Sequence, residues 1–220
     1  VTPYPTITIN DFRLDENNEI VSDMLVGRDY EKKALRALAT GGFSQYRNAF
    51  VRGVRRSGKS SLLNYLRYYI SECQEDKSIR PIYTSLQDCS TSQVVQFAFI
   101  SSVIKAVRVA YPQIALADEW ALFEKRWELS LESEDRSLDE IPAFYAQFSH
   151  VTGGQRIVLI LDEFDKILER IAGDSAAQAH FFKQLDAILT NVELQKYVRF
   201  IFCGSNYLLR CSMDGGVMHQ

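Results

Sequence analysis

The sequence has no C-x-x-C pair and only three histidines, scattered at His150, His180 and His219. No set of residues falls at zinc-ligand spacing, so neither a structural zinc nor histidine-based catalysis is expected. The four cysteines, Cys73, Cys89, Cys203 and Cys211, read as buried, reduced thiols of an intracellular protein. No apolar run approaches the roughly 20 residues of a membrane span. The N terminus has neither a basic start nor an apolar signal core. A cytoplasmic location with no membrane attachment is therefore expected. Charge bias is also missing: the formal net charge is −3, which gives no global pull toward nucleic acid. Internal repeats and low-complexity segments are absent. What remains is 220 residues with 46% apolar content, enough for one large domain or a domain with an extension.

Against this plain background one stretch stands out, Gly53-Val54-Arg55-Arg56-Ser57-Gly58-Lys59-Ser60-Ser61. It reads G-x-x-x-x-G-K-S, the phosphate-binding P-loop, with a strand-like run before it and a helix-like run, 60–70, after it. Gly53 and Gly58 let the backbone wrap closely around a polyphosphate. Successive N–H groups and the helix N-terminus then face the negative charge. Lys59 is expected to neutralise the β- and γ-phosphates, and Ser60 to offer its hydroxyl to Mg2+. Ser57 and Ser61 complete the nucleotide-binding set within the loop.

The remaining chain alternates between strand and helix patterns. Residues 1–25 hold early prolines and a polar acidic stretch, and read as an arm or linker with a short β segment at 6–10. A helix over 32–39 ends at Gly41-Gly42. Residues 80–86 alternate as a second strand. Helices at 92–110, 118–131 and 137–151 form an insertion, with Phe97, Ile100, Ile104 and Val107 on a core-facing stripe. The apolar run Ile157-Val158-Leu159-Ile160-Leu161 suits a central parallel strand buried on both faces. It ends in Asp162-Glu163, and helices over 166–172 and 175–190 follow. A fourth strand, 197–203, ends in Gly204-Ser205-Asn206.

This alternation predicts an α/β fold, a three-layer core with a parallel sheet and a helical insertion. Ligands in such sheets lie beyond the carboxyl ends of the strands. All three polar clusters follow strands directly, so they should converge. Asp162 would hold the magnesium, directly or through water, and Glu163 would polarise the water that attacks the γ-phosphate. Asp165 fits a helix-start carboxylate better than a second metal group. Ser205 or Asn206 would reach the γ-phosphate or the attacking water from the neighbouring strand.

The order of these elements resembles the P-loop ATPases of the AAA+ and STAND group, closest to archaeal-type and origin-recognition-like ATPases. Val26-Gly27-Arg28-Asp29-Tyr30-Glu31 resembles that group's V-G-R-x-x-E motif, which implies that Gly27 and Arg28 lie against adenine and ribose. The loop at 53–62 resembles its G-x-R-R-x-G-K-[ST]-S-L form, 159–165 its Walker B segment, and 200–206 its sensor strand. The resemblance spans about residues 26–210 and implies ATP and magnesium as ligands, with Lys59, Glu163 and Asn206 as the catalytic set. It further implies self-association through the ATP interface and a protein effector. A neighbouring subunit would supply an arginine finger, with Arg199 and Arg170 as candidates. A fifth core strand and a helical lid should follow the sensor strand. Neither is recognisable, so 26–220 reads as an ATPase core truncated at its C terminus. A DNA-associated loader and a non-catalytic nucleotide-binding module remain as alternatives, the first unsupported by charge.

Overall fold

The computed structural model describes residues 6–9, 27–40, 48–73, 75, 78–87, 156–192 and 194–205. It also describes Ala106, Arg108, Val109, Pro112, Ala121, Leu122 and Lys125. The expected insertion lies largely outside these residues. Six of the isolated positions, Ala106, Arg108, Val109, Ala121, Leu122 and Lys125, have helical backbone.

The centre of the fold is a parallel sheet of four strands flanked by helices. These strands are β2 (Ala49–Gly53), β3 (Ile79–Ser85), β4 (Arg156–Asp162) and β5 (Val198–Gly204). They lie in the order β2-β5-β4-β3, and β1 (Thr6–Ile9) pairs in parallel with the outer edge of β2. The short β segment expected near the N terminus is therefore present as an edge strand. The strand expected after residue 206 falls outside the described residues.

Helices α1 (Asp29–Thr40) and α2 (Lys59–Tyr68) cover one face. The side chains follow from strand parity. Val51, Val158, Ile160, Ile201 and Cys203 point to that face and form one buried cluster with Leu35, Leu38, Leu62, Leu63 and Leu66. The alternate residues point the other way, toward α3 (Asp165–Arg170) and α4 (Ser175–Thr190). There Phe50 stacks on Phe202 at 4.9 Å between ring centroids, and Phe164 meets Phe202 edge-on at 4.8 Å. Phe164 also approaches Phe181 of α4 at 6.3 Å. Both faces of β4 are thus covered, which is why Ile157 to Leu161 carries no polar residue.

Element ends differ from the sequence expectation in ways that have local causes. Helix α1 opens at Asp29 rather than residue 32, with Lys32 N–H donating to Arg28 O at 2.9 Å and Asp29 and Glu31 in the first turn. Helix α2 begins at Lys59, and past Tyr68 it loosens into a π turn over Tyr69–Cys73. Helix α3 stops at Arg170, and Gly173 follows with φ 93°. At the base of the sheet, buried Asn48 joins two layers. Its Oδ1 accepts from Phe200 N–H at 3.0 Å and its Nδ2 donates to Leu189 O at 3.4 Å. Among the described residues no helix is long and apolar enough to cross a membrane.

Candidate functional site

Parallel strands in register end together, so topology gathers whatever follows them. Ser85 pairs with Asp162 across β3 and β4, and Arg52 pairs with Gly204 across β2 and β5. The residues after Gly53, Ser85, Asp162 and Gly204 therefore share one end of the sheet.

Gly53 closes β2 and the chain turns at Val54 to Gly58 before entering α2. Ser57 N–H donates to Val54 O at 3.2 Å. Arg56 and Gly58 take left-handed φ values of 65° and 78°. Gly58 adopts this readily, whereas a side-chain-bearing residue there costs about 1–2 kcal/mol. Gly58 is also the N-cap of α2 and supplies no side-chain cap, so an anion can take the first-turn N–H groups. Lys59, first in the helix, curls over the loop and donates from Nζ to Gly53 O at 3.0 Å and Val54 O at 2.9 Å. Ser57 is buried, and its Oγ has no hydrogen-bond partner among the described residues. A buried hydroxyl without a partner at the heart of this loop fits a ligand rich in acceptor oxygens.

The second wall comes from β4. Asp162 is 4% exposed and ends that strand. Its Oδ2 accepts from Ser60 Oγ at 2.8 Å, joining residues 102 positions apart in sequence. The same Oδ2 accepts from Tyr83 Oη at 2.9 Å, and Oδ1 accepts from Glu163 N–H at 2.8 Å. A buried carboxylate needs such donors to offset its desolvation. Burial and the adjacent Asp162 push the Tyr83 phenol well above its ordinary pKa, so it remains a donor. Burial also pushes up the Cys203 thiol, again with Asp162 contributing.

Glu163 follows with φ 56°, a left-handed conformation uncommon for glutamate. The turn is pinned on several sides. Phe164 N–H donates to Cys203 O at 2.8 Å, Lys166 N–H to Glu163 O at 2.9 Å, and Leu86 N–H to Asp162 O at 2.9 Å. The Glu163 carboxylate accepts from Ser85 Oγ at 3.0 Å. Asp165 is buried in the first turn of α3.

The motif at 27–31 also reaches the loop. Gly27 and Arg28 both have positive φ, 77° and 57°, and Arg28 Nη2 donates to Ser57 O at 2.8 Å. Arg28 thus ties the start of α1 to the P-loop backbone. Ser205 immediately follows β5, and Asn206 lies outside the described residues. Ser61 is buried in the first turn of α2. Of the two arginine-finger candidates, Arg199 lies near the start of β5, at the opposite end of the sheet, and donates to Ala39 O at the end of α1. Arg170 ends α3, half-buried.

Sequence reasoning missed Tyr83 and Ser85. The sequence pattern marks both only as members of an alternating strand. The signal was their i, i+2 spacing, which puts them on one face of a strand that ends on polar residues, as β4 does. Among the described residues no three His, Cys, Asp or Glu side chains gather into a cluster able to hold a metal ion. Compared with known proteins, the chain matches no family model and no curated protein.

Proposed function

We propose that this chain is an ATP-binding and hydrolysing switch, a P-loop ATPase of the AAA+ and STAND type, whose nucleotide state controls self-association or an attached effector. The observation that carries this reading is the 2.8 Å hydrogen bond between Ser60 Oγ and Asp162 Oδ2. A hydroxyl after the P-loop lysine and a carboxylate at a strand tip meet here, as shared binding of Mg2+ requires. Ser60 and Asp162 would hold that ion together with phosphate oxygens and waters, since magnesium uses few protein ligands. The ion would supply positive charge to offset the negative charge of the phosphate oxygens.

The chain's own residues divide the remaining work. Lys59 exchanges the Gly53 and Val54 carbonyls for phosphate oxygens. The loop N–H groups and the Ser57 hydroxyl bind the polyphosphate. Glu163 orients and polarises the attacking water, and its pinned turn keeps the carboxylate at the strand end. Arg28 fastens the adenine-side motif to the loop it serves. Asn206 would report on the γ-phosphate from the end of β5.

Magnesium-dependent release of phosphate from ATP tests the reading. Glu163→Gln should retain ATP binding and lower turnover by roughly 10²- to 10⁴-fold, the scale of a lost general base. Unchanged turnover in that variant would remove Glu163 from the mechanism. A wild type with no ATPase activity that nonetheless binds nucleotide would point to the non-catalytic module.

A further inference from the structure

The Asp162 carboxylate has two hydroxyl donors on a single oxygen, and they come from different layers of the fold. Ser60 reaches Oδ2 from the first turn of α2 and belongs to the P-loop. Tyr83 reaches it from β3, on the far side of β4 from β2. The two donors are not equivalent. Ser60 is the hydroxyl that the ATPase reading gives to magnesium, so its geometry must answer to the ion and the phosphates. Tyr83 has no such second duty. Its strand is joined to β4 through seven register pairs from Ile79–Arg156 to Ser85–Asp162, so its backbone position is fixed relative to Asp162. Its ring packs against the buried α1/α2 cluster, and the Arg67 guanidinium lies 5.9 Å from the ring centroid. The third donor, Glu163 N–H, occupies Oδ1. Rotation of the carboxylate about its last bond would break the bonds at both oxygens, and Tyr83 supplies one of them from outside the P-loop and the Walker B turn, while the Cys203 thiol of β5 also faces Asp162.

We propose that Tyr83 is a positioning residue for the magnesium site, holding Asp162 Oδ2 from β3 in the orientation in which Asp162 and Ser60 share the ion. This rests on the ATPase reading given above. Donors behind a metal-binding carboxylate fix its orientation, and their loss typically weakens metal affinity by about 10- to 100-fold.

The experiment uses the full chain and a fluorescent ATP analogue. Analogue affinity is measured first in EDTA, and magnesium is then titrated into the bound complex to give its half-saturation concentration. In Tyr83→Phe the EDTA affinity should equal that of the wild type, and magnesium half-saturation should rise by about 10- to 100-fold. In an Asp162→Asn background the same Tyr83→Phe change should have little further effect on half-saturation. The cycle separates positioning from a general loss of structure, because a packing defect would act in both backgrounds. An unchanged half-saturation in Tyr83→Phe overturns the inference, as does an equal effect with and without Asp162. A wild type that binds no analogue overturns the ATPase reading and this inference with it. Binding by the wild type with an indifferent Tyr83→Phe overturns the inference alone.

Discussion

The two faces of the sheet are made from the same strands and do different work. The α1/α2 face is mainly aliphatic, with leucines from both helices on Val51, Val158, Ile160 and Ile201 and with Tyr65 among them. At its upper end it turns polar, where Asp162 meets Ser60 and Tyr83. The α3/α4 face is aromatic, with Phe50, Phe200, Phe202, Phe164 and Phe181 in successive ring contacts. One step in sequence moves a side chain from one face to the other. Leu161 is buried core and Asp162 is the carboxylate of the candidate site, on neighbouring residues of one strand. Parity lets β4 support both faces and still end in a polar side chain on one of them.

If the faces are separable, damage to the aromatic one should cost stability and spare the site. Phe181 is fully buried in the first half of α4 and approaches Phe164 on the α3/α4 face. Phe181→Ala should lower unfolding free energy by about 3–5 kcal/mol, measured by urea denaturation. The folded fraction should bind ATP with near-normal affinity. A loss of affinity in proportion to stability would break the comparison. Asn48 offers a gentler probe at the opposite end of the sheet. Asn48→Ala strands the Phe200 N–H, at a cost of about 1–3 kcal/mol, while the Leu189 carbonyl keeps its bond from Gln195 Nε2 at 2.6 Å. Nucleotide affinity should again be spared.

The smallest effect belongs to the polar end of the α1/α2 face and appears only in alkali. Folding raises the pKa of both Cys203 and Tyr83, so it favours their neutral forms. Their contribution to stability is full below the ordinary values of 9.0 and 10.0 and is lost as pH rises above them. The melting temperature should therefore begin to fall near pH 9, and Tyr83→Phe should make the fall above pH 10 shallower. An unaltered alkaline slope in that variant would mean that Tyr83 does not titrate as its half-buried place beside Asp162 implies.

The sequence made some of this legible and hid the rest for physical reasons. Glycines and lysine at fixed spacing require a loop of one shape, so 53–60 could be located without coordinates. The apolar run before Asp162 marked a strand buried on both faces, and the structure has it as β4. Both features are local. Tyr83 was invisible because its role depends on which strand lies beside β4 and in what register. Asn48 carries no sequence signal for the same reason, since its partners are 141 and 152 residues away. The left-handed backbone of Glu163 has no composition signal, because glutamate is held there by hydrogen bonds from other elements.

The central claim is that the loop at 53–60 and the carboxylate at 162 form one magnesium–ATP site. Thermal unfolding of the full chain with and without MgATP measures this directly. A ligand at 100 times its dissociation constant stabilises the folded state by about 2.7 kcal/mol. The account predicts a clear upward shift in wild-type melting temperature with millimolar MgATP. The shift should be smaller when EDTA removes the metal, and absent in Lys59→Ala. A wild-type melting temperature indifferent to MgATP, or a Lys59→Ala shift as large as that of the wild type, would contradict it.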